Sequence, residues 1–175
     1  DEVSALADAS TQRVDLAGAT LLPGFVDSHS HANFIGMQAL SANTLPAPDG
    51  VVNDVATLQK VLADYLNSEP MLLARTGWLI GFGYDDSQLA EARHPTRQDL
   101  DAISEDIPIL IIHQSGHLGV ANSKALEIAG VTAATKDPEG GVFRRKAGSQ
   151  EPDGVLEEYA FFFLLSKLGI LNPHL

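Results

Sequence analysis

Asp27, His29 and His31 stand at alternate positions in Phe25-Val26-Asp27-Ser28-His29-Ser30-His31. On a strand, successive side chains point to opposite faces, so these three share a face, with the two imidazoles about 6–7 Å apart along the chain. Neutral imidazole is a common metal ligand, and two rings at that spacing can reach one divalent cation. A His-x-His pair alone is weak evidence, and a polar strand end is the plainer alternative. Four further residues have side chains suited to a pocket: Trp78, Tyr84, His117 and Glu158. The aromatic rings, together with Phe82, could wall a site, although rings of this size more often fill a core. His117 could line a pocket or merely tie down the following loop, and Glu158 could hold a metal, orient a substrate or start a helix.

Such residues need a framework, and the apolar pattern predicts one. Pro23-Gly24 supplies a turn before the histidine segment, Arg13-Val14-Asp15-Leu16 alternates like a short strand, and Ala17-Gly18-Ala19 turns the chain. Val55, Leu58, Val61, Leu62, Tyr65 and Leu66 recur at helical spacing, with Asn53 or Asp54 available as the cap. Residues 78–84 read as a strand weakened by glycine, and Pro95-Thr96 opens a short helix carrying Leu100 and Ile103. The unbroken apolar run 108–113 is expected of a strand covered on both faces. Asn122-Ser123 can cap a helix over 124–129 that stops at Gly130. Residues 140–145 and 154–156 read as two strand pieces joined by an exposed turn, and 157–168 resumes helical spacing. Alternation of strands with helices places the chain in the α/β class.

Eleven Lys and Arg against twenty-three Asp and Glu give a net charge of −12, which repels phosphate backbones and anionic membrane surfaces. The absence of cysteine removes disulfides and thiolate ligands. No apolar run approaches the roughly 20 residues of a membrane span, and Asp1-Glu2-Val3-Ser4 does not resemble a signal peptide. The expectation is a soluble, cytoplasmic protein that meets a small molecule rather than nucleic acid or a membrane, with homo-oligomerisation left open. Arg144-Arg145-Lys146 reads as a solvated turn, and His94, His113 and His174 have no motif support.

The string Leu21-Leu22-Pro23-Gly24-Phe25-Val26-Asp27-Ser28-His29-Ser30-His31 closely resembles the first-strand signature of the amidohydrolase superfamily. Other segments are similar to the third amidohydrolase family, the YtcJ-like metal-dependent hydrolases that include N-substituted formamide deformylase. Arg13-Val14-Asp15-Leu16-Ala17-Gly18 resembles its lead-in, and Gly77-Trp78-Leu79-Ile80-Gly81-Phe82-Gly83-Tyr84-Asp85 its Trp-x-x-Gly-x-Gly-Trp-Asp segment, with Tyr84 in place of the second Trp. Pro95-Thr96-Arg97-Gln98-Asp99-Leu100-Asp101 also matches. Ser115-Gly116-His117 running into Asn122-Ser123-Lys124-Ala125-Leu126 resembles an Asp-Gly-His stretch, with Ser115 replacing Asp, and Asp153-Gly154-Val155-Leu156-Glu157-Glu158-Tyr159-Ala160 resembles a Gly-x-Leu-x-Glu-x-Ala piece.

The resemblance implies part of a TIM-type (β/α)8 barrel over 23–175, with a long insertion after its first strand at about 32–154 and the edge of a small β-sandwich domain at 1–22. It further implies that His29 and His31 bind one or two divalent cations, zinc being the expected ion, for water-driven cleavage of an amide, formamide or cyclic amide. A metal-bridging carboxylated lysine, two more histidines and a catalytic aspartate are then expected beyond Leu175. The rival readings are an inactive fragment and an α/β module that binds a small ligand without hydrolysis. Two histidines fall short of the ligand count of a catalytic zinc centre, so these 175 residues alone are expected to hydrolyse no amide. Metal-dependent turnover by the purified chain, abolished by a chelator, would contradict this.

Overall fold

The computed structural model describes residues 4–26, 32–69, 74 and 76–167. His29, His31 and His174 lie outside the described residues. The chain divides into two compact units, Asp1–His31 and Ala32–Leu175. In the first, a 3-10 turn at Ser4–Leu6 precedes a series of local turns. The Asp8 carboxylate accepts from Ser10 N at 2.8 Å and the Asp15 carboxylate from Ala17 N at 2.8 Å. The strand expected at 13–16 does not form, and no strand occurs among residues 4–26. Val14 there is 70% exposed, and an extended segment without a neighbour has nowhere to pair its backbone groups.

The second unit runs α1 (Ala32–Ala39), β1 (Ala42–Asn43), α2 (Val55–Ser68), β2 (Leu79–Tyr84), α3 (Arg97–Asp101), β3 (Ile109–His113), β4 (Leu118–Ala121), α4 (Ser123–Ala129), β5 (Gly141–Arg145), β6 (Pro152–Glu158) and α5 (Tyr159–Leu165). Local chemistry sets the helix ends. Asp54 caps α2 by accepting from Thr57 N at 2.6 Å. Asn122 caps α4, which stops at Gly130 in the left-handed conformation with φ 71°. Before α3, the Asp99 carboxylate accepts from Thr96 N at 2.7 Å and Thr96 Oγ1 at 2.9 Å. No helix among the described residues is long and apolar enough to cross a membrane.

The strands form one mixed sheet in the order β1-β2-β3-β4-β6-β5. β1, β2 and β3 are parallel, while the β3–β4, β4–β6 and β6–β5 pairs are antiparallel. β3 is covered on both faces as its apolar run requires: Ile109, Leu110, Ile111 and Ile112 are each fully buried. Leu110 and Ile112 join Ile80, Leu126, Phe161 and Leu164 on one face. Ile109 and Ile111 join Leu58, Leu62, Leu79 and Leu100 on the other. β1 and β4, with two and four residues, are strands that the sequence pattern did not announce.

Two features of this sheet matter for chemistry. With β4 and β5 running against β2, β3 and β6, the ends of β2, β3 and β6 and the starts of β4 and β5 gather at one end of the sheet. A bulge between Phe82 and Tyr84 then lets His113 pair with Tyr84 instead of the next residue, Gly83, which takes φ 106°. The extra residue breaks the alternation: Phe82 packs against the first cluster and Tyr84 lies in the second.

Removing three carbons' worth of packing from the centre should cost far more than removing a cap. Leu110→Ala is expected to lower unfolding free energy by about 2–5 kcal/mol, and Asp54→Ala by about 1 kcal/mol. Urea denaturation of the two variants checks the ranking.

Candidate functional site

On the side of the sheet that carries Ile109 and Ile111, the end of β2 and the end of β3 bring Tyr84, Asp85, Asp86 and His113 together with His94 from the following loop. Tyr84 is fully buried, and its hydroxyl lies 3.2 Å from His94 Nδ1. Burial, reinforced by the Asp86 charge, pushes the Tyr84 hydroxyl far above its usual range, so it stays protonated. Burial likewise pushes His94 down, outweighing the upward pull of Asp86. A neutral His94 can accept a hydrogen bond from the Tyr84 hydroxyl at Nδ1, and Asp86 Oδ1 stands 3.5 Å from the same nitrogen.

Asp85 is the hub of this group. Its Oδ1 accepts from Ser87 N at 3.0 Å and Ser87 Oγ at 2.7 Å, and its Oδ2 from Gln88 Nε2 at 2.8 Å and Gln114 Nε2 at 2.5 Å. Burial pushes the Asp85 carboxyl up, but the bonds from Gln88 and Ser87, with His113 nearby, outweigh it and hold the carboxyl below its ordinary 3.8.

The His113 ring is oriented from its other side. Ser115 N donates to His113 Nδ1 at 3.1 Å, and Ser115 Oγ lies 2.9 Å from the same nitrogen. Nδ1 is therefore the acceptor, and the ring hydrogen sits on Nε2. That Nε2 is buried without a hydrogen bond of good geometry, 3.3 Å from Asp86 Oδ1 and 3.8 Å from Asp85 Oδ1. Asp85, Asp86 and His113 offer ligand atoms within 4.8 Å of one another, a spacing a cation can bridge. The four acceptor directions of Asp85 are already taken and His113 presents a hydrogen rather than a lone pair, so the group works as an internal hydrogen-bond hub.

His117 and Glu158, 41 residues apart, meet at the same end of the sheet. His117 Nδ1 lies 3.0 Å from Glu158 Oε2, and Glu158 N donates to His117 O at 2.8 Å. Both side chains are exposed, at 63% and 54%. The His117 ring meets Phe162 of α5 edge-on, with centroids 6.5 Å apart. Glu158 takes φ 49° and ψ −120° at the turn from β6 into α5, a conformation that costs a non-glycine residue on the order of 1–3 kcal/mol. A Cβ on Gly141 would press on Tyr159 N at 2.8 Å and on Ala160 N, so the neighbouring strand can approach this turn only through glycine.

Of the residues singled out in the sequence, Tyr84, His117 and Glu158 are thus at one sheet end. Trp78 precedes β2 at the opposite end, 8% exposed and packed in the cluster with Ile80, Leu110 and Leu126. Sequence reasoning passed over Asp85, Asp86, His94 and His113. The signal available for His113 and the Asp85-Asp86 pair was their place at the C-terminal ends of apolar strands, where α/β proteins collect polar groups. Glu157 pairs with Arg144 across β5 and β6.

A model of the amidohydrolase family matches residues 12–173, and the chain belongs to that family. N-substituted formamide deformylase of Arthrobacter pascens is 33% identical over 159 residues, covering 91% of this chain and 28% of that protein. YtcJ of Bacillus subtilis (strain 168) is 31% identical over 166 residues, 94% of this chain and 29% of its own length. The chain therefore spans less than a third of the relatives it matches. A crystal structure of an uncharacterized metal-dependent hydrolase from Pyrococcus horikoshii OT3 superposes with a TM-score of 0.54 at 24% identity, over 86% of this chain and 24% of that one, and shares the fold.

Because the folded-state pKa of Asp85 lies below its unfolded value of 3.8, its contribution to stability is present above that value and is lost as pH falls through the lower one. Asp85→Asn is expected to cost about 1–3 kcal/mol at neutral pH and to flatten the loss of stability below about pH 4. Thermal unfolding of both proteins from pH 7 to pH 2.5 checks the sign: parallel curves would rule out the hub role.

Proposed function

We propose that this chain is the N-terminal part of a metal-dependent amidohydrolase that cleaves a carbon–nitrogen bond of a small amide, formamide or cyclic amide. The observation that carries the reading is the family match over residues 12–173, which encloses the Phe25-Val26-Asp27-Ser28-His29-Ser30-His31 signature. In this reading the segment leading to His29 and His31 enters a (β/α)8 barrel, and those two histidines hold a divalent cation, with zinc as the expected ion. A cation so bound supplies Lewis-acid polarisation of a carbonyl and a more acidic water.

β1 to β5 all fall within residues 42–145, inside the stretch that follows the first barrel strand. β1 to β5 then belong to the insertion and β6 leads out of it, which accounts for antiparallel pairs that an all-parallel barrel does not contain. Trp78 supports β2 from within the core of that insertion. The exposed His117–Glu158 pair, one residue within the insertion and one just after it, is the polar contribution to substrate binding, and Tyr84 holds the neighbouring strand end in shape.

The test is metal content in the full-length protein. About one or two divalent ions per chain are expected in the wild type and a loss of metal in the His29→Ala plus His31→Ala variant, measured by elemental analysis with hydrolysis of a formamide substrate in parallel. Equal metal in the two proteins would remove the reading.

A further inference from the structure

Three features of the His117–Glu158 pair do not follow from folding alone. The pair is solvent-exposed, and exposed ion pairs contribute little to stability. The residue that supplies the carboxylate nevertheless occupies a strained positive-φ position at which glycine would be at ease. A second strand end, through Gly141, is fitted closely around that turn. A side chain kept where its backbone is unfavourable and its contact is weak is kept for what it does to its partner.

What it does follows from hydrogen-bond chemistry. A carboxylate can only accept, so at 3.0 Å from Glu158 Oε2 the Nδ1 of His117 carries the hydrogen. In a neutral ring Nε2 is then bare, an acceptor without a partner among the described residues. The backbone that carries the ring is anchored. It is bound to that of Glu158 by the 2.8 Å bond from Glu158 N, extending the Leu118–Glu157 register of β4 and β6. The ring stands in a T-shaped contact with Phe162, and His117 N donates to Ser115 Oγ at 3.3 Å. The same Ser115 holds His113, four residues earlier, in the opposite tautomer. One turn thus presents two imidazoles in complementary states, the buried one with its hydrogen inward and the exposed one with a free lone pair.

We propose that Glu158 is a positioning residue that locks His117 in the Nδ1–H tautomer, so that His117 Nε2 accepts a hydrogen bond from an N–H or O–H donor of the substrate. The donor's identity as a substrate amide rests on the amidohydrolase reading, whereas the tautomer lock does not.

The experiment uses full-length protein with 15N-labelled histidine, comparing wild type, Glu158→Gln and Glu158→Gly by two-bond proton–nitrogen correlation spectra above the titration of the ring. In wild type, His117 should show a protonated Nδ1 and a bare Nε2, and both variants should shift it toward the Nε2–H form that free imidazole prefers. Glycine at φ 49° relieves the backbone, so Glu158→Gly should unfold at or above the wild-type temperature while losing the lock. In hydrolysis assays both variants should raise KM roughly tenfold with a smaller change in kcat, as expected for loss of one ground-state hydrogen bond. A wild-type His117 in the Nε2–H form, a tautomer unmoved in Glu158→Gln, or a Glu158→Gly protein that melts lower would each overturn the proposal. A wild type that binds no metal and hydrolyses nothing, yet shows the tautomer shift, would fail the amidohydrolase reading and leave the lock standing.

Discussion

The pairing of β3 on both of its edges is the constraint from which the rest of the second unit follows. Four consecutive residues, Ile109 to Ile112, are fully buried, so the strand must have a hydrogen-bonded neighbour on each side and an apolar layer on each face. β2 satisfies one edge in parallel and β4 the other in antiparallel sense. That change of direction within one strand brings strand starts and strand ends to a single end of the sheet. Without it, His117 at the start of β4 and His113 at the end of β3 would lie at opposite ends.

Within that geometry, hydrogen-bond accounting decides which polar groups are structural and which are available. Asp85 is saturated by Ser87, Gln88 and Gln114, and so ties the end of β2 to the turn after β3. The buried Tyr84 and the half-buried His94 form a neutral hydrogen-bonded pair. His117 and Glu158 face solvent, and there the ring nitrogen His117 Nε2 remains open to a ligand. The acidic cluster that looks most like a ligand set is therefore the scaffold, and the less conspicuous exposed pair is the accessible chemistry.

The bulge at Gly83 and the strained turn at Glu158 are departures from regular strand geometry, and both sit at this sheet end. Each redirects one side chain: Tyr84 into a T-shaped contact with His113, and Glu158 toward His117. Irregularities of this kind cost stability locally and are held by the regular structure around them, here the β2–β3 and β4–β6 ladders.

Local signals in the sequence determined a good part of the second unit: the capped helix after Asp54, the Asn122–Gly130 helix, the buried run of β3 and the β5–β6 hairpin. Each depends on residues a few positions apart, whose capping bonds, turn preferences or burial are expressed wherever the segment sits. The histidine signature and the motifs along residues 12–173 likewise identified the amidohydrolase family from residue order alone. Sequence alone did not announce β1 or β4, since strands of two and four residues persist only through neighbours contributed from elsewhere in the chain. The strand expected at 13–16 failed for the converse reason, having an alternating pattern but no partner. Tertiary structure decided that Trp78 is core, that Asp85 is bound by Gln114 across 29 residues, and that Glu158 meets His117 across 41. Those contacts are set by strand order and register, and the tautomers of His113 and His117 are set in turn by which donor or acceptor the fold places beside each ring.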